Sequence, residues 1–173
     1  MFQIGDCVAY GISGICQVID ICNSPFDAKD TRQFYVLKAL YEKDRTIYTP
    51  VETGDVMGRV PFTKEMLTDL FSVIADIAPI SVAEEKRRKD TYRGAMAKPV
   101  PMVCLQMLKT VAFRRANCVA QRKRLPAMDA EYENLAKKLL LQEIGYAFSV
   151  SHAEAENTLQ GVLQQISTDA IHA

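Results

Sequence analysis

Phe2-Gln3-Ile4-Gly5-Asp6-Cys7-Val8-Ala9-Tyr10-Gly11-Ile12-Ser13-Gly14-Ile15-Cys16-Gln17-Val18-Ile19-Asp20-Ile21-Cys22 sets the character of the first third of the chain. Its apolar runs, Phe2 to Ile4, Val8 with Tyr10, and Ile15 to Cys22, are short and rich in β-branched and aromatic residues. Gly5-Asp6 and Gly11 to Gly14 cut them with residues that accept tight turns and positive φ. The pattern repeats at 33–41 and 45–51, after Asn23-Ser24-Pro25 and Glu42-Lys43-Asp44. It predicts four or five short antiparallel strands in a small curled sheet or barrel.

After Pro61 the apolar period becomes helical. Thr63 is placed to cap a helix whose Met66, Leu67, Leu70, Phe71 and Ile74 share a face. A polar helix over 82–97 is expected next, ending at Lys98-Pro99-Val100-Pro101, and then one over 102–118 with Val103, Cys104, Met107, Leu108 and Val111 inward. Tyr132, Leu135, Leu139 and Ile144 form the seam of a helix over 128–148, and Ser151-His152-Ala153-Glu154 reads as the capping box of a last one. The fold class is α+β: a β module over 1–62, a connecting helix over 63–78 and an all-α bundle over 79–173.

The chain is 49% hydrophobic and 24% charged over 173 residues, enough apolar surface for a real core, so disorder is not expected. No apolar run reaches a membrane-spanning length, and Met1 to Asp6 lacks a charged-then-apolar leader, so no membrane partner and a cytoplasmic location are expected. Five cysteines without a C-x-x-C pair speak against a disulfide framework and a structural zinc site. Phosphate loops, dinucleotide fingerprints, a nucleophile elbow and a zinc-protease helix are all missing from the sequence. His152 sits in a cap with no nucleophile or orienting acid beside it, and Glu131 and Glu133 point different ways on a helix. No enzyme, cofactor or metal is expected.

Charge supplies the functional signal. The whole chain is neutral, yet residues 86–124 hold twelve Lys or Arg against one acid. Such a block suits a polyanion or an acidic protein face, with binding that weakens in salt. Its candidate DNA-contacting members are Lys86, Arg87, Arg88, Lys89 and Arg93 on the second helix, Arg114 and Arg115 near the end of the third, and Arg122, Lys123 and Arg124 in the loop after it. For Arg114 and Arg115 the helix dipole alone favours a cation at that end. Lys86 to Lys89 wrap most of a turn, so a single salt-bridged stripe does not account for them, and their lack of acidic partners favours phosphate contact.

The N-terminal stretch from Phe2 to Tyr10, with Ser13-Gly14 and the strand to Ile21, resembles the start of the bacterial CarD/CdnL transcription regulators. In that family a hydrophobic-x-hydrophobic-Gly-Asp-x-Val-x-Tyr segment precedes a His-Gly turn, and here Ser13 replaces the histidine. The resemblance continues through Phe34 to Lys38, through Tyr48-Thr49-Pro50-Val51, and through Leu125 to Glu133 with Lys137, Leu140 and Glu143-Ile144 behind. It implies a Tudor-like module, similar to the polymerase-interacting domain of transcription-repair coupling factors, that docks on the lobe of the RNA polymerase β subunit. It also implies a helical domain that contacts promoter DNA at the upstream edge of the bubble and alters the lifetime of the open complex.

The chain departs from that pattern at several positions. Alignment puts Tyr48 where some members carry a polymerase-contacting arginine, with Ser24 near another, so Arg45, Thr46, Ile47 and Tyr48 are the candidates for pairing with a partner strand through backbone groups. It puts Glu85 where the family has a tryptophan that wedges into the minor groove, and this chain has no tryptophan. Tyr92 is one candidate substitute. The alternative is a polymerase-binding adaptor that has lost direct DNA readout. The Pro99-Val100-Pro101 turn replaces a Ser-Gly-Asp common in relatives.

Overall fold

The structure is a computed structural model that describes residues 1–27, 29–82 and 84–172, the side chains at 169, 171 and 172 excepted. The chain divides into two compact units, Met1–Pro61 and Phe62–Ala173.

In the first unit β1 (Cys7–Tyr10), β2 (Ile15–Asn23), β3 (Gln33–Ala39), β4 (Thr46–Pro50) and β5 (Gly58–Arg59) form one antiparallel sheet in the order β4-β3-β2-β1-β5. Alternation puts Val8, Cys16, Val18, Tyr35, Leu37 and Ala39 on one face, where they form the core of the unit. A register shift between Val18 and Asp20 inserts Ile19 as an extra residue in β2. Inward positions therefore change from even (Cys16, Val18) to odd (Ile21), and Asp20 reaches solvent. Gly14, at φ +77°, makes the tight return from β1 into β2 that a side chain would oppose.

The strand expected over 45–51 stops at Pro50, and Val51 instead opens α1 (Val51–Met57), a helix the periodicity did not reveal. It lies against the sheet through Gly54, where a Cβ would stand 2.5 Å from the Tyr35 ring. That close approach lets the Tyr35 hydroxyl donate to Asp55 Oδ1 at 2.9 Å while accepting from the Phe2 amide at 2.9 Å. Cys16 is fully buried, and burial pushes its thiol up to about 11. A maleimide at about pH 8 is therefore expected to label the half-buried Cys7, Cys22 and Cys118 well before Cys16. Mass mapping of partly labelled native protein checks this, and equal early labelling of Cys16 would contradict the packing.

The second unit is helical: α2 (Lys64–Ser72), α3 (Arg88–Ala95), α4 (Pro101–Ala120), α5 (Ala127–Phe148) and α6 (His152–His172), with 3-10 turns at Ile74–Asp76 and Glu85–Arg87. The caps follow the sequence signals. Thr63 Oγ1 accepts from the Met66 amide, Pro101 opens α4, and Ser151 and Glu154 exchange the reciprocal bonds of a capping box. Leu67 and Leu70 of α2 lie in the same core as Met107, Leu108, Leu140 and Ile144, so the helix expected as a connector belongs to the core of this unit. The polar helix expected over 82–97 is shorter, because Glu85 to Arg87 form a separate 3-10 turn before α3. Among the described residues no helix is long and apolar enough to cross a membrane.

Candidate functional site

Each unit presents one candidate surface. In the β unit, β4 is an edge, since among the described residues it pairs only with β3. Its register runs Lys38↔Thr46, Leu37↔Ile47, Val36↔Tyr48 and Tyr35↔Thr49, and the Ala39 amide donates to the Arg45 carbonyl at 3.0 Å. Antiparallel partners alternate between hydrogen-bonded and non-hydrogen-bonded pairs. Arg45, Ile47 and Thr49 therefore turn their backbone groups toward β3, whereas Thr46 and Tyr48 turn theirs outward.

The four expected docking residues thus differ in kind. Thr46 and Tyr48 are exposed and offer free backbone, and Ile47 is half-buried against the sheet core. Arg45 is tied down by Glu42 and donates to Ser13 Oγ at 3.2 Å. Beside Tyr48 stands a small aromatic cluster that the sequence did not single out. Phe26, 73% exposed, meets Tyr48 and Phe34 edge-on at 5.8 and 6.1 Å, and the Arg32 guanidinium lies 5.7 Å from the Phe34 ring centre. Arg32 also grips Asp30 at 2.7 Å and holds that half-buried carboxyl down at about 2.

In the helical unit the basic block is more extensively paired than its own sequence suggests. Asp129, at the start of α5, is 0% exposed, and three groups converge on it. The Tyr92 hydroxyl donates to Oδ1 at 3.0 Å, Arg114 Nε stands 3.2 Å from Oδ1, and Arg88 Nη2 stands 3.4 Å from Oδ2. Burial and the bond to Asp129 hold the Tyr92 phenol well above its ordinary range. Tyr92 is fully buried with its ring edge-on to Tyr132, so it is not presented to DNA as a wedge. Above Asp129, Glu85 accepts from both terminal nitrogens of Arg114, at 2.8 and 3.2 Å, and contacts Arg88 Nη1.

Further pairs divide the block. Arg115 and Lys137 share Glu133, Lys86 and Arg87 face Glu84 at 3.3 and 3.7 Å, and Arg93 pairs with Asp90. The expectation that Lys86 to Lys89 lack acidic partners is corrected for Lys86, Arg87 and Arg88: Glu84 and Glu85 stand immediately before the block, and Asp129 is brought to it by folding. Lys89, Arg122, Lys123 and Arg124 are exposed with no carboxylate partner among the described residues. Lys86, Arg87 and Arg93 keep most of their side-chain surface in solvent despite their pairs. Lys109, another member of the block, is buried and donates to the Ala75 carbonyl at 2.9 Å.

Around Arg114 and the end of α4 lies a hollow of about 310 Å³, lined by Glu85, Arg114, Asn117, Gln121, Lys123 and Arg124 among others. The described residues hold no group of three or more metal-ligating side chains.

Residues 2–61 match the family model of the CarD-like/TRCF RID domain, an RNA polymerase-interacting, transcription-related domain. Among curated proteins none matches the chain.

Proposed function

We propose, from the match of residues 2–61 to the CarD-like/TRCF RID domain, that this chain is a CarD-like protein that docks on the lobe of the RNA polymerase β subunit and contacts promoter DNA. The observation that carries the docking is the free outer side of β4, where Thr46 and Tyr48 present unpaired backbone groups in a domain of the polymerase-interacting family. A partner strand adding to such an edge gains main-chain hydrogen bonds whatever its side chains, and pockets beside the edge give selectivity.

The DNA side of the reading rests on Lys89, Arg122, Lys123 and Arg124, with Lys86, Arg87 and Arg93 in support. These groups can neutralise phosphates near the upstream edge of the bubble. A protein that binds the melted state more tightly than the closed one lengthens its lifetime by that difference in affinity. Arg88, Arg114 and Arg115 contribute less directly, because each is already held by a carboxylate.

The test uses the full chain on a polymerase–promoter complex, with a footprint taken with and without it. Replacing Arg122, Lys123 and Arg124 together by Gln should weaken DNA association uniformly across sequences and flatten its salt dependence by about one unit of slope per lost contact. Polymerase binding should survive. An unchanged slope would make that loop a solvated surface only. The second reading, an adaptor without DNA readout, is favoured by the internal pairing of the block. It predicts polymerase binding with no change in the footprint.

A further inference from the structure

The Glu85–Arg114 contact sits beside a hollow of the helical unit whose lining combines carboxylate-paired and carboxylate-free cations. Arg114 is supported from below by a carboxylate that cannot leave, Asp129 at 0% exposure, and covered from above by one that can. Glu85 is 65% exposed and belongs to a three-residue 3-10 turn rather than to a long helix. Its two oxygens meet the two terminal nitrogens of Arg114, at 2.8 and 3.2 Å. That is the fork in which a guanidinium also receives two phosphate oxygens.

We propose that Glu85 is a built-in phosphate mimic: its carboxylate occupies the guanidinium fork of Arg114 and must swing out before a backbone phosphate of nucleic acid can bind there. This deepens the DNA-contacting reading above and rests on it. With Glu85 in place the cluster of Arg88, Arg114, Asp129 and Glu85 is formally neutral, and with Glu85 out it gains a positive charge. That charge lies on the rim of a hollow that already carries Lys123 and Arg124. Three consecutive cations in the adjoining loop, Arg122 to Arg124, suit a run of phosphates along a strand better than a single small anion. An exposed ion pair is weak, so one well-placed phosphate contact is enough to replace it. The device lowers affinity for DNA in general and leaves most of the contact to be made where phosphates are presented in the right place.

The test measures binding of the full chain to a fluorescently labelled duplex over a range of salt. Glu85→Gln should tighten binding by about three- to tenfold and steepen the salt slope by about one unit, because one more cation becomes available to a phosphate. Arg114→Lys keeps a cation for Asp129 but loses the fork. In the native background it should change little, and in the Glu85→Gln background it should remove most of the gain. Thermal unfolding of each variant guards against a loss of fold, and if an Arg114→Lys protein melts early the decision rests on the affinity and salt slope of Glu85→Gln alone.

A gain that persists undiminished in Glu85→Gln/Arg114→Lys would mean general repulsion and would overturn the gate. So would a Glu85→Gln protein that binds with native affinity and slope while the Arg122/Lys123/Arg124→Gln variant binds weakly, and in that case the DNA reading itself would stand. If native and Glu85→Gln chains both ignore the duplex at low salt, the gate and the DNA reading fail together.

Discussion

Asp129→Ala is expected to lower the stability of the helical unit by about 3–5 kcal/mol, the range seen when one partner of a buried charge cluster is removed. Arg88 and Arg114 would be left facing each other with only the exposed Glu85 between them, and the Tyr92 hydroxyl would lose its acceptor in a fully buried site. Since a domain is stable by only about 5–15 kcal/mol, much of the margin is lost in one step. Tyr92→Phe should cost less, about 1.5–3 kcal/mol, because it removes one hydrogen bond to a carboxylate that Arg88 and Arg114 still hold. Urea unfolding followed by helical ellipticity separates the two. A loss below about 1 kcal/mol for Asp129→Ala would show that the cluster is relaxed by water and is not a structural keystone.

Tyr48→Pro is expected to weaken binding to the polymerase β lobe by at least about tenfold, the equivalent of one or two lost backbone hydrogen bonds at the docking edge. The Tyr48 amide faces outward, so proline there leaves the β3–β4 ladder intact, as edge positions allow. Ile47→Pro is a poorer probe. The Ile47 amide turns toward β3, and removing it would damage the sheet whether or not anything docks. Tyr48→Ala provides the control, since it keeps the amide and loses only the ring that Phe26 meets. Native affinity for Tyr48→Pro, measured by titration of the isolated lobe, would remove β4 from the docking surface.

Much of this architecture was legible in the chain because it is written locally. The strand-like apolar run from Ile15 to Cys22, the Thr63 cap and the Ser151–Glu154 box all act within a few residues, and each element appears where expected. The helix at Val51 was hidden because Gly54 in its middle lowers helical propensity, and the reason for that glycine is a tyrosine of another strand. The inversion of inward and outward positions within β2 was hidden for a similar reason, since a bulge is defined against the partner strand. The candidate DNA surface was the least legible part. Glu85 meets Arg114 across 29 positions, and Tyr92 meets Asp129 across 37, so neither pairing exists until the helices pack. Counting charges inside a window registers cations but not the acids that folding delivers to them.

The sheet order also limits how many partner strands one chain can take. A sheet with two long open edges can add strands on both sides and so chain molecules together. Here the margin opposite β4 ends in the two residues of β5, Gly58 and Arg59, too brief to template another strand. Growth by strand addition can therefore proceed in one direction only and stops after one step. Under the proposed docking each chain takes one partner strand, and a bare edge on one side alone does not chain copies into filaments.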